Sequence, residues 1–201
     1  VKNPEGVTPS PSLVNMRVVD NTDHIFGNSN AVVKVVEYSD TECPFCKRFH
    51  ETMQRIVGEY NGKVAWVYRH FPLEQLHSKA RREANATECA AALGGNDAFW
   101  KYTNRLFEIT PSNDGLADGE LFATADFVGL AQDKFTKCLE GNTYNDRVTE
   151  DAKDAIAAGG TTLARKSKYS PDTILLVHWW DHVSPGQSGW VSQEEVREMG
   201  A

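Results

Sequence analysis

The chain has 201 residues, of which 40% are apolar, 24% charged and 10% aromatic; that is enough apolar surface to build one core, and it excludes a disordered chain. A net charge of −7 without any basic stripe excludes the counterion-release binding on which nucleic-acid recognition depends, so no nucleic-acid partner is expected. The longest apolar runs, such as Ile174 to Val177, fall far short of the roughly 20 residues that cross a bilayer, so the chain as given is expected to be soluble. It opens at Val1 with neither a charged n-region nor an apolar h-region, as expected of a chain never exported or of one whose leader has been removed.

Residues 1–22 hold three prolines, few aromatics and no sustained period, and read as a flexible N-terminal linker able to tether the domain behind it. Val32 to Tyr38 is β-branched and nearly continuous in apolar character, the pattern of a strand covered on both faces. Cys43-Pro44-Phe45-Cys46 follows. Apolar residues at Phe45, Phe49, Met53, Ile56, Val57 and Tyr60 then recur at helical spacing, with Pro44 in the first turn where its missing N–H costs nothing. Asn61-Gly62 breaks this helix, and residues 63–68 read as a second strand leading into Arg69-His70-Phe71-Pro72-Leu73. From 78 to 159 only helical patterns occur: Ser78 to Leu93, a stretch around Phe99 to Phe107, Asp118 to Val128 stopping at Gly129, a short piece after Asp133, and Asn145 to Ala158. Strand character returns at Thr173 to Val177 behind Ser170-Pro171, with a fourth strand expected near 183–191. Ser192 and Glu195 form a capping box that opens a last short helix to Met199. The organisation expected is therefore a linker (1–22), the first part of an α/β domain (23–77), an inserted helical domain (78–159) and the second part of the α/β domain (160–201).

The four cysteines divide into a C-x-x-C pair, Cys43 and Cys46, and two isolated residues, Cys89 and Cys138. A cysteine at the first turn of a helix gains thiolate stability from unsatisfied backbone N–H groups, and a second one three residues later lies on the same face. The pair is therefore suited to cycling between dithiol and disulfide. The alternative, half of a zinc site, would need two further Cys or His ligands and usually sits on a knuckle rather than behind a buried strand. His178 and His182 have metal-ligand spacing but read as surface or structural groups in a Trp-rich segment, so no metal is expected. Cys89 and Cys138, taken alone, read equally as two buried thiols.

The run Glu37-Tyr38-Ser39-Asp40-Thr41-Glu42-Cys43-Pro44-Phe45-Cys46, the Arg69 to Leu73 segment and the helical block resemble the DsbA family of thiol–disulfide oxidoreductases. The resemblance implies an α/β, thioredoxin-like fold with an inserted helical domain, and an exported, periplasmic or extracytoplasmic oxidase. Such an enzyme takes electrons from cysteine-containing exported proteins and passes them to a membrane redox partner, DsbB- or VKOR-like, as a monomer and with no cofactor beyond the Cys43–Cys46 disulfide. It implies that Cys43 is the exposed attacking sulfur and Cys46 the buried resolving one. It makes Glu37 a buried acid able to shuttle the proton of Cys46, although a strand-end carboxylate facing solvent is the plainer alternative. It also implies a structural disulfide between Cys89 and Cys138, and a substrate-binding surface at Pro44, Phe45, Ser170 and Pro171, with Pro171 in the cis-proline position unless it is an ordinary turn proline. Pro44-Phe45 supplies no cation and Glu42 adds a negative charge, so a thiolate less stabilised than in the most oxidising members is expected, with Lys47 and Arg48 offsetting part of that. The basic stretch 161–169 has no assigned role, and isomerase, reductase or redox-inert peptide-binding activity are the alternatives.

Overall fold

A computed structural model of the chain describes residues 16–158 and the backbone of two strands at 165–166 and 173–177. In chain order the elements are β1 (His24–Gly27), β2 (Val33–Ser39), α1 (Pro44–Glu59), β3 (Val64–His70), α2 (Ala80–Ile109), α3 (Gly119–Val128), α4 (Gln132–Glu140), α5 (Asn145–Ala157), β4 (Arg165–Lys166) and β5 (Thr173–Val177). The five strands form one sheet in the order β1-β3-β2-β5-β4. β2 lies at its centre, parallel to β3 and to β5, while β1 and β4 run antiparallel along the two edges of the described sheet. This is the thioredoxin-like α/β arrangement, with β2-α1-β3 as its parallel crossover.

Burial on both faces explains why β2 reads as a continuous apolar run rather than an alternating one. Val33 and Val35 point into a core with α1 residues Phe49, Met53, Ile56 and Val57, and with Trp66, Phe99, Trp100 and Phe107. Val36 and Tyr38 point the other way, onto Val67, Ala155 and Ala158. Two consequences follow for the site. Glu37 shares the face of Val33 and Val35 by the two-residue period of a strand, and so points toward α1. α5, expected in the helical insertion (78–159), packs directly on the sheet and belongs to the α/β layer.

The remaining helices build a separate core from Ala86, Ala90, Tyr102, Leu106, Leu121, Phe135 and Leu139. The two helical stretches anticipated around 78–93 and 99–107 are the arms of α2, which bends at Gly95 (φ 72, ψ −167). That backbone region is essentially open to glycine alone. α3 ends on Gly129 in the left-handed conformation, the usual helix stop.

The sequence reading assigns all of 1–22 to a flexible linker, whereas residues 16–22 are bound to the fold. Arg17 N donates to Asp154 Oδ1 at 2.7 Å, and its guanidinium pairs with Asp23 and Asp151 at 3.0 and 2.9 Å. Arg69, fully buried in β3, pairs with Asp23 and Asp154 at 2.9 and 2.7 Å and donates to the carbonyl of Arg17 at 3.0 Å. A buried guanidinium needs such partners to offset its desolvation, and meeting that need brings the N-terminal segment onto β3 and α5. Part of the basic stretch 161–169 forms β4. The strand expected near 183–191, the capping-box helix and residues 1–15 lie outside the described residues.

Candidate functional site: a dithiol at the start of α1

The turn between β2 and α1 is built around Asp40. Its carboxylate accepts from Glu42 N at 2.8 Å, Leu73 N at 2.8 Å and His77 Nδ1 at 2.9 Å, while its carbonyl accepts from Cys43 N at 3.1 Å. Cys43 is the N-cap of α1 with extended backbone, and Pro44 stands at the start of the helix. The first helical bond runs from Lys47 N to the Cys43 carbonyl at 3.0 Å. Cys46, one turn on, hydrogen-bonds Cys43, and the two are in the dithiol form. The sequence reading makes Cys43 an exposed sulfur; in the fold it retains only 5% exposure, against 1% for Cys46. Cys43 is the more accessible of the two, though not on open surface.

Phe45 is partly buried beside Cys43, with the Arg48 guanidinium 4.6 Å over its ring. Lys47 turns its ammonium to the carbonyls of Thr110 and Glu108, at 2.6 and 3.3 Å. Both basic side chains thus have other engagements than offsetting charge at the dithiol. A loop with three consecutive left-handed residues, Ser112, Asn113 and Asp114, backs the same turn. Asn113 N donates to the carbonyl of Glu42 at 2.8 Å, and the Asp114 carboxylate caps α2 through Ser78 N and Lys79 N, both at 2.9 Å. A run of positive φ outside glycine is costly and clusters at functional sites.

Glu37 is wholly buried and accepts from the Trp66 indole at 2.8 Å. Burial pushes its pKa up to about 8, against the pull of Ser39 and the Trp66 N–H, and the charge of Cys43 adds to the rise. Cys46 is pushed well above the ordinary thiol value by its hydrogen bond to Cys43, by burial, and by the charges of Cys43, Glu37 and Asp40. The Glu37 charge thus disfavours a Cys46 thiolate, and near neutral pH Glu37 holds a proton that such a thiolate can take.

Glu42, expected to add a negative charge beside Cys43, lies inside the fold. It is wholly buried, neither of its carboxylate oxygens meets a donor among the described residues, and it faces Glu83 of α2. Glu83 Oε2 accepts from Thr41 Oγ1 at 2.5 Å. Burial and the bond to Glu42 push Glu83 well above the carboxylate range. A Glu83 carboxyl raised this far is protonated at neutral pH, so it adds no second negative charge beneath the turn.

Away from the turn, Cys89 and Cys138 are joined by a disulfide that ties α2 to α4, with Cα atoms 5.9 Å apart. His70, Glu88 and Asp151 place potential metal-ligand atoms within 4.8 Å of one another. Protein groups already engage the ligand atoms of this cluster. Glu88 Oε1 takes His24 Nε2 at 2.8 Å and His70 Nε2 at 3.0 Å, and the Arg147 Nε lies 3.7 Å from Asp151. Although burial opposes it, hydrogen bonds from His24 and His70 hold Glu88 well below the usual carboxylate range. The network joins β1, β3, α2 and α5 as a structural unit.

The fold brings Glu37, Cys43, Pro44, Phe45 and Cys46 together; Ser170 and Pro171, like His178 and His182, lie outside the described residues. Asp40, His77 and Glu83 were not singled out from sequence. Asp40 had a legible signal, as an acid between a buried strand and a helix-opening cysteine. His77 and Glu83 reach the turn only through tertiary packing.

A dithiol at the start of a helix, above a buried carboxyl on the neighbouring strand, defines a redox-type site on a thioredoxin fold. Comparison with known proteins gives the same class. The family profile described as Thioredoxin matches residues 19–162. The crystal structure of DsbA2 from Pseudomonas aeruginosa is similar at 31% identity and a TM-score of 0.60, covering 68% of this chain and 74% of that one. A thioredoxin-like oxidoreductase from Silicibacter pomeroyi matches in fold at 21% identity and a TM-score of 0.61, covering 90% of this chain and 91% of that one. The chain belongs to the thioredoxin family, as a DsbA-like member. Curated relatives include the protein named Na(+)/H(+) antiporter NhaA 1 of Mycolicibacterium gilvum, 33% identical over 153 residues that make up 74% of this chain and 24% of the relative. The chain thus spans about a quarter of the length of the first such relatives. No helix among the described residues is long and apolar enough to cross a membrane.

Proposed function

We propose that the chain is a protein thiol–disulfide oxidoreductase that works as a DsbA-like oxidase of exported proteins. The observation that carries this reading is the placement of Cys43 as the N-cap of α1 with Cys46 one turn behind it and Glu37 buried beneath. In the disulfide form, a substrate thiolate attacks Cys43 Sγ; the Cys43–Cys46 bond breaks and Cys46 leaves as a thiolate. A thiolate there is strongly disfavoured, and it takes the proton that Glu37 holds near neutral pH. A second substrate thiolate then attacks the substrate sulfur of the mixed disulfide and expels Cys43 as thiolate. The substrate loses two electrons, the pair gains them, and Glu37 recovers a proton from solvent.

Two sulfurs hold both electrons, so the reaction needs no metal or organic cofactor. Pro44 and Phe45, with Ser170 and Pro171 of the segment before β5, would receive an extended stretch of a cysteine-containing substrate. The pair would be re-oxidised by a DsbB- or VKOR-like membrane partner. An extracytoplasmic, periplasmic setting agrees with the Cys89–Cys138 disulfide, because such bonds persist in oxidising compartments. A place at a membrane agrees with the curated relatives, whose names are those of membrane transporters.

The test is oxidation of a dithiol peptide by the pre-oxidised chain, run beside Cys43→Ser. Turnover in the first and none in the second supports the oxidase. Equal, low activity in both would replace it with a peptide-binding module that keeps only the fold. Reduction of insulin without oxidation of the peptide would make it a reductase.

A further inference from the structure

The C-x-x-C dipeptide, Pro44-Phe45, carries no cation, and Lys47 and Arg48 are engaged elsewhere. One histidine is nevertheless delivered to this turn from a distant part of the chain. His77 lies in the segment between β3 and α2, and its backbone N bonds the carbonyl of Leu73 at 2.8 Å. Its Nδ1 is bonded to Asp40 Oδ2 at 2.9 Å. The same Asp40 holds Cys43 through its carbonyl at 3.1 Å. His77 and Cys43 are thus each one hydrogen bond from a single residue, and all three are buried, at 4%, 5% and 2% exposure for His77, Cys43 and Asp40. Resting on the oxidoreductase reading above, we propose that His77, fixed by Asp40, is the positive group that favours the Cys43 thiolate, supplied across the fold rather than from between the cysteines.

The charged groups facing His77 come from three elements: Asp40 on the β2-α1 turn, Cys43 at the start of α1, and Asp114 on the loop after α2. The Asp40 hydrogen bond first, and then the charges of Asp40, Cys43 and Asp114, raise the proton affinity of His77 against the effect of burial. The coupling is reciprocal. Whatever a Cys43 thiolate adds to the binding of the imidazole proton, that proton adds to the thiolate. Asp40 has the role of a positioning residue: it orients the ring through Nδ1 and keeps it protonated. His77 then stabilises the reduced form, in which the Cys43 charge exists, and makes the disulfide more oxidising. The low thiolate stability expected from Pro44-Phe45 and Glu42 is offset by a histidine that lies 34 residues from Cys43 in the chain.

Two measurements test this. The first follows the His77 ring by NMR titration in the reduced chain, in the disulfide form and in reduced Cys43→Ser. The proposal predicts a His77 midpoint about one pH unit or more higher in the reduced wild type than in the other two. Equal midpoints in all three would overturn it, and this arm requires no change at His77. The second reads thiolate ultraviolet absorbance against pH in the reduced wild type, His77→Gln and His77→Arg. His77→Gln should move the Cys43 titration upward by about one to two units, a roughly ten- to hundredfold loss of thiolate at fixed low pH, with the glutathione equilibrium moving the same way. His77→Arg should restore part of the shift. An unmoved Cys43 titration in His77→Gln would also overturn the proposal. Failure of the oxidoreductase reading is separate: it would appear as a chain whose His77 midpoint follows the state of Cys43 but which oxidises no dithiol peptide.

Discussion

Replacing Glu37 with Gln removes a buried ionisable group while keeping its size and an oxygen to accept the Trp66 N–H. The carboxyl rises from 4.5 to about 8 on burial, and at about 1.4 kcal/mol per unit this amounts to a folding penalty of about 5 kcal/mol once the group is ionised. The sign follows from proton binding. Between these two pH values the folded chain holds the proton and the unfolded chain has lost it, so stability is fully present below about pH 4.5 and is lost as pH rises toward 8. Glu83, Asp40 and Asp151 are raised as well and tilt the profile of the whole protein in the same direction. The difference between wild type and Glu37→Gln isolates Glu37. Urea unfolding of the two oxidised proteins should give similar stabilities near pH 5 and a variant more stable by several kcal/mol near pH 9. A gap that stays constant between those pH values would refute the assignment of Glu37 as a proton-holding carboxyl. In the same variant the oxidation of a dithiol peptide should slow, because departing Cys46 loses its proton source.

Further predictions concern the scaffold. Cys89 and Cys138 are 49 residues apart in sequence, so the double Ala variant should lose about 4 kcal/mol in the chain-entropy description; denaturant midpoints measure this, and a loss under about 1 kcal/mol would show the bond to be idle. Unfolding the dithiol form without reductant should expose two reactive thiols by colorimetric titration, and four would contradict the bridge. Gly95→Ala should cost about 1–3 kcal/mol because its backbone conformation belongs to glycine. Gly58→Ala, in α1 with open space around its Cβ position, should be neutral or stabilising by up to about 1 kcal/mol; equal effects at the two sites would show that the bend in α2 does not depend on Gly95.

Much of this fold is written in local pattern. β2, β3 and β5 are apolar runs of the right length, α1 has helical spacing from its first turn, and Gly129 marks the end of α3. What was not legible depends on partners remote in sequence. β1 is a four-residue edge strand whose identity comes from pairing with β3. Residues 16–22 look like linker because their anchor is not apolar area but Arg69, a guanidinium buried near the end of a strand; a charge closing such an apolar run is itself a hint that partners must arrive from elsewhere. α5 has the same amphipathic pattern as its neighbours, and only the exposed underside of β2 and β3 decides that it packs there. At the site, the cysteines and Glu37 were visible because their spacing along one strand and one helix carries the chemistry. The burial of Glu42 was not legible either, because Glu83, the carboxyl it faces, lies 41 residues further on. His77 escaped notice for the same reason: Asp40 selects it through the fold.

The central claim is that Cys43 and Cys46 exchange covalent partners in a fixed order, and a Cys46→Ser chain tests it directly. Treated with glutathione disulfide and analysed by intact mass and peptide mapping, Cys46→Ser should accumulate one glutathione adduct on Cys43, while Cys43→Ser under the same conditions should carry little on Cys46. Equal labelling of the two single variants, or no adduct on Cys43, would contradict the account.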